Sequence, residues 1–122
     1  MTSSILNVTI GCVDPQGQAR FWSDVTGQPV VDGSRPGNPF WLVGSGPDQE
    51  DPRLVFVPVA EAKRGRNRVH VDIVPADCSQ AAELHRLLTL GASVVDDCRQ
   101  TEGGGWVVLA DPEGNEFCLE GD

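Results

Sequence analysis

Asn7-Val8-Thr9-Ile10, with Asp14 beyond it, returns as His70-Val71-Asp72-Ile73, with Asp77 beyond it, 63 positions later. Gly27-Gln28-Pro29-Val30-Val31-Asp32 returns as Gly91-Ala92-Ser93-Val94-Val95-Asp96, 64 positions later. Between them Ala19, Phe21 and Val25 stand over Ala82, Leu84 and Leu88, so one inserted residue holds the register throughout. A repeat of half the chain means two copies of one supersecondary unit, neither able to bury its apolar face alone. Each copy can be read against the other, and the positions where they differ carry the information.

Length and charge narrow the rest. The 122 residues suffice for one domain with a core of its own. The formal net charge of −9 disfavours nucleic acid, whose phosphates need a basic face, and equally an anionic membrane surface. It suits a neutral or cationic small molecule. No apolar run approaches the roughly 18 residues of a membrane span. Met1-Thr2-Ser3-Ser4 lacks the basic-then-apolar order of a secretory leader, so the expected location is the cytoplasm. Cys12, Cys78, Cys98 and Cys118 make no Cys-x-x-Cys pair, which removes zinc ribbons and dithiol redox motifs and leaves reduced thiols as the expectation.

Alternation of β-branched residues over 5–13 predicts a strand. Asp14 as N-cap and Pro15 at the first helical position open a helix over 15–26, which Gly27 closes. Short strands follow near 28–32, 39–44 and 53–58, with loop compositions at 32–37 and 44–48. The connector 60–67, with Lys63-Arg64-Gly65-Arg66, reads as a solvated linker rather than a phosphate cradle, since it holds only three cations in an acidic chain. The second copy brings a strand over 68–75 and a helix from about 78 to 90, with Ala81, Leu84, Leu87 and Leu88 on one face. Strands near 93–98, 105–110 and 115–120 complete it, with Gly103-Gly104-Gly105 as a loop and Asp111-Pro112-Glu113-Gly114-Asn115 as a hairpin turn. The fold class is α+β: two tandem βαβββ modules, about 5–59 and about 68–120, within one domain spanning 1–122.

A tandem of this kind, with His70 opening its second half, Leu90-Gly91-Ala92 after the helix and Asp111-Pro112-Glu113-Gly114-Asn115-Glu116-Phe117 near its end, resembles the vicinal oxygen chelate superfamily. That superfamily includes glyoxalase I, extradiol dioxygenases, and the fosfomycin and bleomycin resistance proteins. More narrowly the chain is similar to the small glyoxalase-like domain proteins, over nearly its whole length. The resemblance implies a curved mixed sheet forming a cup, helices on its convex face, a ligand in the concave face, and a homodimer. Metal-binding members take one ligand from the first and one from the last strand of each module, typically His and Glu, and the cation chelates two neighbouring substrate oxygens. Carried onto this chain, those positions fall on Asn7, on Val55 or Phe56, on His70, and on Cys118, three residues past Asn115. One or two of the four can ligate, whereas a divalent site needs three or four protein ligands. The usual metal centre is therefore expected to be missing, and no cofactor is expected.

Strand alternation puts Asn7 and Thr9 on one face, His70 with Asp72, and Cys118 with Glu116 and Glu120. Such a polar wall admits several chemistries. His70, Cys118 and a carboxylate are a donor set for a divalent metal such as zinc. A Cys118 thiolate activated by His70 is disfavoured, because both sit on strands with neither a helix N-terminus nor an oxyanion hole in view. His70 as a lone acid/base, tuned by Asp72 or Glu116, is a better catalytic candidate. Among the few aromatics, Trp22 reads as core beside Phe21. Trp41 and Trp106 fall on equivalent strands and either line the cup, stacking on a planar or cationic ligand, or pack beneath the helices. His85 reads as structural. The function expected from these residues is binding, with sequestration of a small-molecule ligand in the bleomycin-resistance manner, through Asn7, Thr9, Trp41, His70, Asp72, Trp106 and Cys118. The alternative is a glyoxalase-like lyase or isomerase, or a dioxygenase-related enzyme, using His70 or a non-standard metal at His70 and Cys118. Loops 33–38, 45–52 and 99–105 would shape the pocket.

Overall fold

The repeat builds one unit twice. In the computed structural model, which describes residues 1–45 and 50–121, the chain forms two units divided between Ala62 and Lys63. The middle of the expected 45–52 loop lies outside the described residues. The first module runs β1 (Asn7–Cys12), α1 (Pro15–Thr26), β2 (Val30–Asp32), β3 (Trp41–Val43) and β4 (Arg53–Pro58), with sheet order β1-β4-β3-β2. The second runs β5 (Asp72–Ile73), α2 (Gln80–Leu90), β6 (Ser93–Arg99), β7 (Gly105–Ala110) and β8 (Glu116–Glu120), with sheet order β5-β8-β7-β6. In each, the first strand lies parallel to the last and the other pairs are antiparallel. These are the expected βαβββ modules, each a mixed sheet with a flanking helix.

The first helix forms where its caps dictate. Asp14 Oδ1 accepts from the Gly17 N–H at 3.1 Å and Pro15 opens the first turn. Gly27 closes the helix in the left-handed region at φ 73, its N–H on the Ser23 carbonyl. Gln18, Ala19, Phe21, Trp22 and Val25 recur at helical spacing and are buried. The Phe21 and Trp22 rings meet edge to face at 5.4 Å, so Trp22 is core, as its sequence position suggests.

The second helix differs from expectation in start and in face. It begins at Gln80, because Ser79 Oγ accepts from the Ala82 N–H at 3.1 Å. Its buried line is Glu83 and Leu87, with Gln80 and Leu84 half-buried, while Ala81 and Leu88 are exposed. A carboxylate is tolerated there because Arg86 takes both Glu83 oxygens, at 2.6 and 2.9 Å. Gln80 Nε2 donates to the Gly105 and Leu119 carbonyls, tying the helix start to the sheet.

Beneath lie Val107, Leu109, Phe117 and Leu119, all sealed from solvent. The expected strand over 68–75 contracts to Asp72–Ile73, extended only by the Cys118 N–H donating to the Val71 carbonyl at 3.0 Å. An edge strand has one neighbour, and the exposed side chains of Val69 and Val74 bury nothing that would hold the rest in the sheet. The connector is mostly exposed, as a solvated linker is, but it is tied down at two points. Lys63 Nζ lies 3.2 Å from Glu116 Oε2, and the Asn67 N–H donates to the same oxygen at 3.1 Å, so its end is part of the second module.

Candidate functional site

In the second module Asp72 stands opposite Cys118, Cys118 opposite Val108, and Glu120 opposite Trp106. Opposed side chains project to the same face. All five therefore share the face away from Val107, Leu109, Phe117 and Leu119. His70, two residues before Asp72, joins them, with Nε2 3.3 Å from Asp72 Oδ1. Around them is a cavity of about 530 Å³. Trp106 forms one wall, 42% exposed although it is among the largest apolar side chains of the protein. Glu116 and Glu120 continue the acidic side, and Arg66 and Asn67 close the rim from the connector.

The charges are differently held. Burial pushes the Glu116 carboxyl up, but the Asn67 N–H, its own backbone and the Lys63 ammonium together outweigh it, leaving the carboxyl below its ordinary range. Burial, reinforced by the Asp72 and Glu120 carboxylates, pushes the Cys118 thiol up. A thiol so placed is held protonated, opposite to what a resting nucleophile needs. His70 and Asp72 are about half exposed, while Cys118 beneath them is buried.

Of the residues expected to contact a ligand, His70, Asp72, Trp106 and Cys118 converge on this cavity. Asn7, Thr9 and Trp41 belong to the first module. There the β1–β4 register pairs Thr9 with Val55 and Ile10 with Phe56, which makes Val55, not Phe56, the counterpart of Cys118. Trp41 is paired with Phe56, so it projects to the face of that sealed ring and not to the face of Thr9. The two tryptophans thus part company: Trp106 lines a cavity and Trp41 does not share its parity. Arg66, Asn67 and Val108 are contributors that the sequence reading missed. Val108 is legible as the residue two on from Trp106 on one strand. Arg66 and Asn67 were hidden in a segment whose composition reads as solvent-facing.

The four positions that carry the metal in chelating relatives do not fit that group here. The Asn7 amide oxygen accepts from Arg53 Nε at 3.0 Å, so it is already engaged by a guanidinium and is not offered to a metal ion. Val55 offers no donor atom. The second module retains His70 and Cys118 and adds Asp72, one ligand atom from each, all within 4.8 Å of one another.

Duplicated βαβββ modules with a polar, cavity-bearing face define a protein of the vicinal oxygen chelate class. The Glyoxalase-like domain profile matches residues 7–120, and the chain belongs to that family. No curated protein sequence matches it. Among solved structures it is similar to a member of the glyoxalase/bleomycin resistance protein/dioxygenase superfamily from Sphaerobacter thermophilus, at 16% identity and TM-score 0.71, over 99% of this chain and 98% of that one. It is similar to the fosfomycin resistance protein FosX from Mesorhizobium loti, at 15% identity and TM-score 0.71, over 98% and 92%. A mutant FosX from Listeria monocytogenes, complexed with Mn(II) and a dihydroxypropylphosphonic acid, matches at 14% identity and TM-score 0.69, over 98% and 90%. At these identities the likeness is one of fold.

Proposed function

We propose that the protein binds and sequesters a flat, positively charged small molecule on the open face of its second module. The observation that carries this reading is Trp106, a large ring left substantially exposed opposite Glu120, in a cavity that Asp72 also lines. Covering what remains of such a ring offers about 2 kcal/mol, and a cation over it gains further attraction from the ring face and the nearby carboxylates. Sequestration needs enclosure and no reacting group, which accords with the loss of ligating chemistry at Asn7 and Val55. The manganese held by the Listeria relative is not carried over, because the donor set differs.

A second reading has its own support. The 3.3 Å approach of Asp72 to His70 is how a carboxylate orients an imidazole for proton transfer, as a lyase or isomerase of this superfamily would use it.

Titration with a cationic acridine and with anilinonaphthalene sulfonate, followed by tryptophan fluorescence, tests the first reading. The cation should quench the emission and the anion should bind far more weakly. Trp106→Ala should lower affinity for the cation by about tenfold or more, with Trp41→Phe leaving it unchanged. Equal binding of both dyes, or undiminished affinity in Trp106→Ala, would overturn it.

A further inference from the structure

The repeat supplies an internal comparison. His70, Asp72 and Cys118 each fall 63 positions after Asn7, Thr9 and Val55, and the rung that joins Asp72 to Cys118 is the rung that joins Thr9 to Val55. The same backbone lattice is thus built twice, once with an amide, a hydroxyl and a methyl pair, once with an imidazole, a carboxylate and a thiol. The fold does not require the second set, since the first module forms the same ladder without it.

We infer that His70, Asp72 and Cys118 form a binding site, contained within the second module, for a thiophilic divalent cation of the zinc class. This goes beyond the ligand reading and does not depend on it. Two ligand atoms held about 2.0–2.1 Å from a tetrahedral zinc lie about 3.3 Å from each other, and His70 Nε2 and Asp72 Oδ1 are 3.3 Å apart. A sulfur at about 2.3 Å from that ion lies about 3.6 Å from the other ligands. Cys118 Sγ is within 4.8 Å, so closing takes about 1.2 Å at most, which His70 and Asp72, exposed at 48% and 54%, supply by turning. Binding replaces the thiol proton by the metal and releases that proton to solvent. The sulfur selects against hard cations: thiolate favours zinc, cobalt or cadmium over manganese and magnesium. Three protein ligands leave a fourth position facing the cavity.

The test uses the full chain without a polyhistidine tag, stripped with chelator and titrated with Co(II). A thiolate-to-cobalt charge-transfer band should grow and saturate at one equivalent. Zinc should abolish it, and manganese in about tenfold excess should not. The band should vanish in Cys118→Ser, persist in Cys78→Ser and Cys98→Ser, and form with at least about tenfold weaker affinity in Asp72→Asn and His70→Gln. Those last two replace exposed side chains, so they remain informative if Cys118→Ser folds poorly. No band, a band that survives Cys118→Ser, or displacement by manganese would overturn the inference. Failure here is separable from failure of the ligand reading, since Trp106→Ala should lose the cationic dye and keep the cobalt band.

Discussion

Cys118 and Val55 show how much turns on single side chains at fixed backbone positions. Both are buried on equivalent rungs, yet one brings sulfur to a cavity and the other seals a wall. Trp106 and Trp41 make the same point through parity, because neighbouring residues on a strand face opposite ways and one step separates a cavity wall from the opposite face. Charge at this scale is equally local. Asp97 on β6 accepts from Arg99 through both carboxylate oxygens, at 2.9 and 2.6 Å, and the Arg99 side chain followed by its N–H lowers the carboxyl pKa to about 2. A carboxyl depressed in the folded state contributes stability that is complete above its unfolded value and is lost as pH falls through the folded one. The pair is exposed, so the contribution is small and screened by salt. Carboxyl NMR should find the Asp97 midpoint near 2, and Arg99→Ala should raise it only part of the way to the ordinary aspartate range, because the backbone N–H at position 99 still donates to the carboxylate.

At the scale of elements, capping chemistry decided what periodicity left open. Asp14 and Asp77 occupy matching places in the repeat, and Asp14 caps α1. Ser79, not Asp77, caps α2, which shortens that helix, and it is Leu87 that is buried while Leu88 stays exposed. Ser79→Ala should therefore cost about 1 kcal/mol in urea denaturation, and Asp77→Ala less than about half of that. Equal losses would place the cap elsewhere. Helix 15–26 was legible at both ends, because a cap with a first-turn proline opens it and a glycine closes it, and the strands expected near 53–58 and 105–110 fall there as short apolar runs bounded by loop compositions. The strand at 68–75 was not, because its length is set by how much of β8 it finds to pair with, and that is a tertiary quantity. Glu83 was unreadable as a buried residue for a related reason: its i,i+3 pairing with Arg86 is local to the helix, but its burial depends on how α2 lies on the sheet.

For the molecule as a whole, no described helix is long and apolar enough to cross a membrane. None of the four cysteines is in a disulfide, and Cys78 is exposed. Val94 and Val95 on β6 and Leu88 on α2 stand exposed in a chain otherwise rich in charge. From these exposed side chains we propose a homodimer that covers them. Sedimentation equilibrium should give twice the 13.1 kDa chain mass, and Leu88→Glu with Val95→Glu should return the single mass; a wild-type monomer would refute the expectation. Acting alone, the sequence determined the duplication, the order of elements in each module and the erosion of the family's metal quartet, because repeats, caps and ligand identities are written locally. Only the tertiary structure decided that His70, Asp72, Trp106 and Cys118 converge on one cavity while Trp41 turns to the other face of its sheet, that Asn7 is spoken for by Arg53, and that the connector lends Arg66 and Asn67 to the rim. Those facts depend on strand register, and register is fixed by how many side chains two distant segments can bury together.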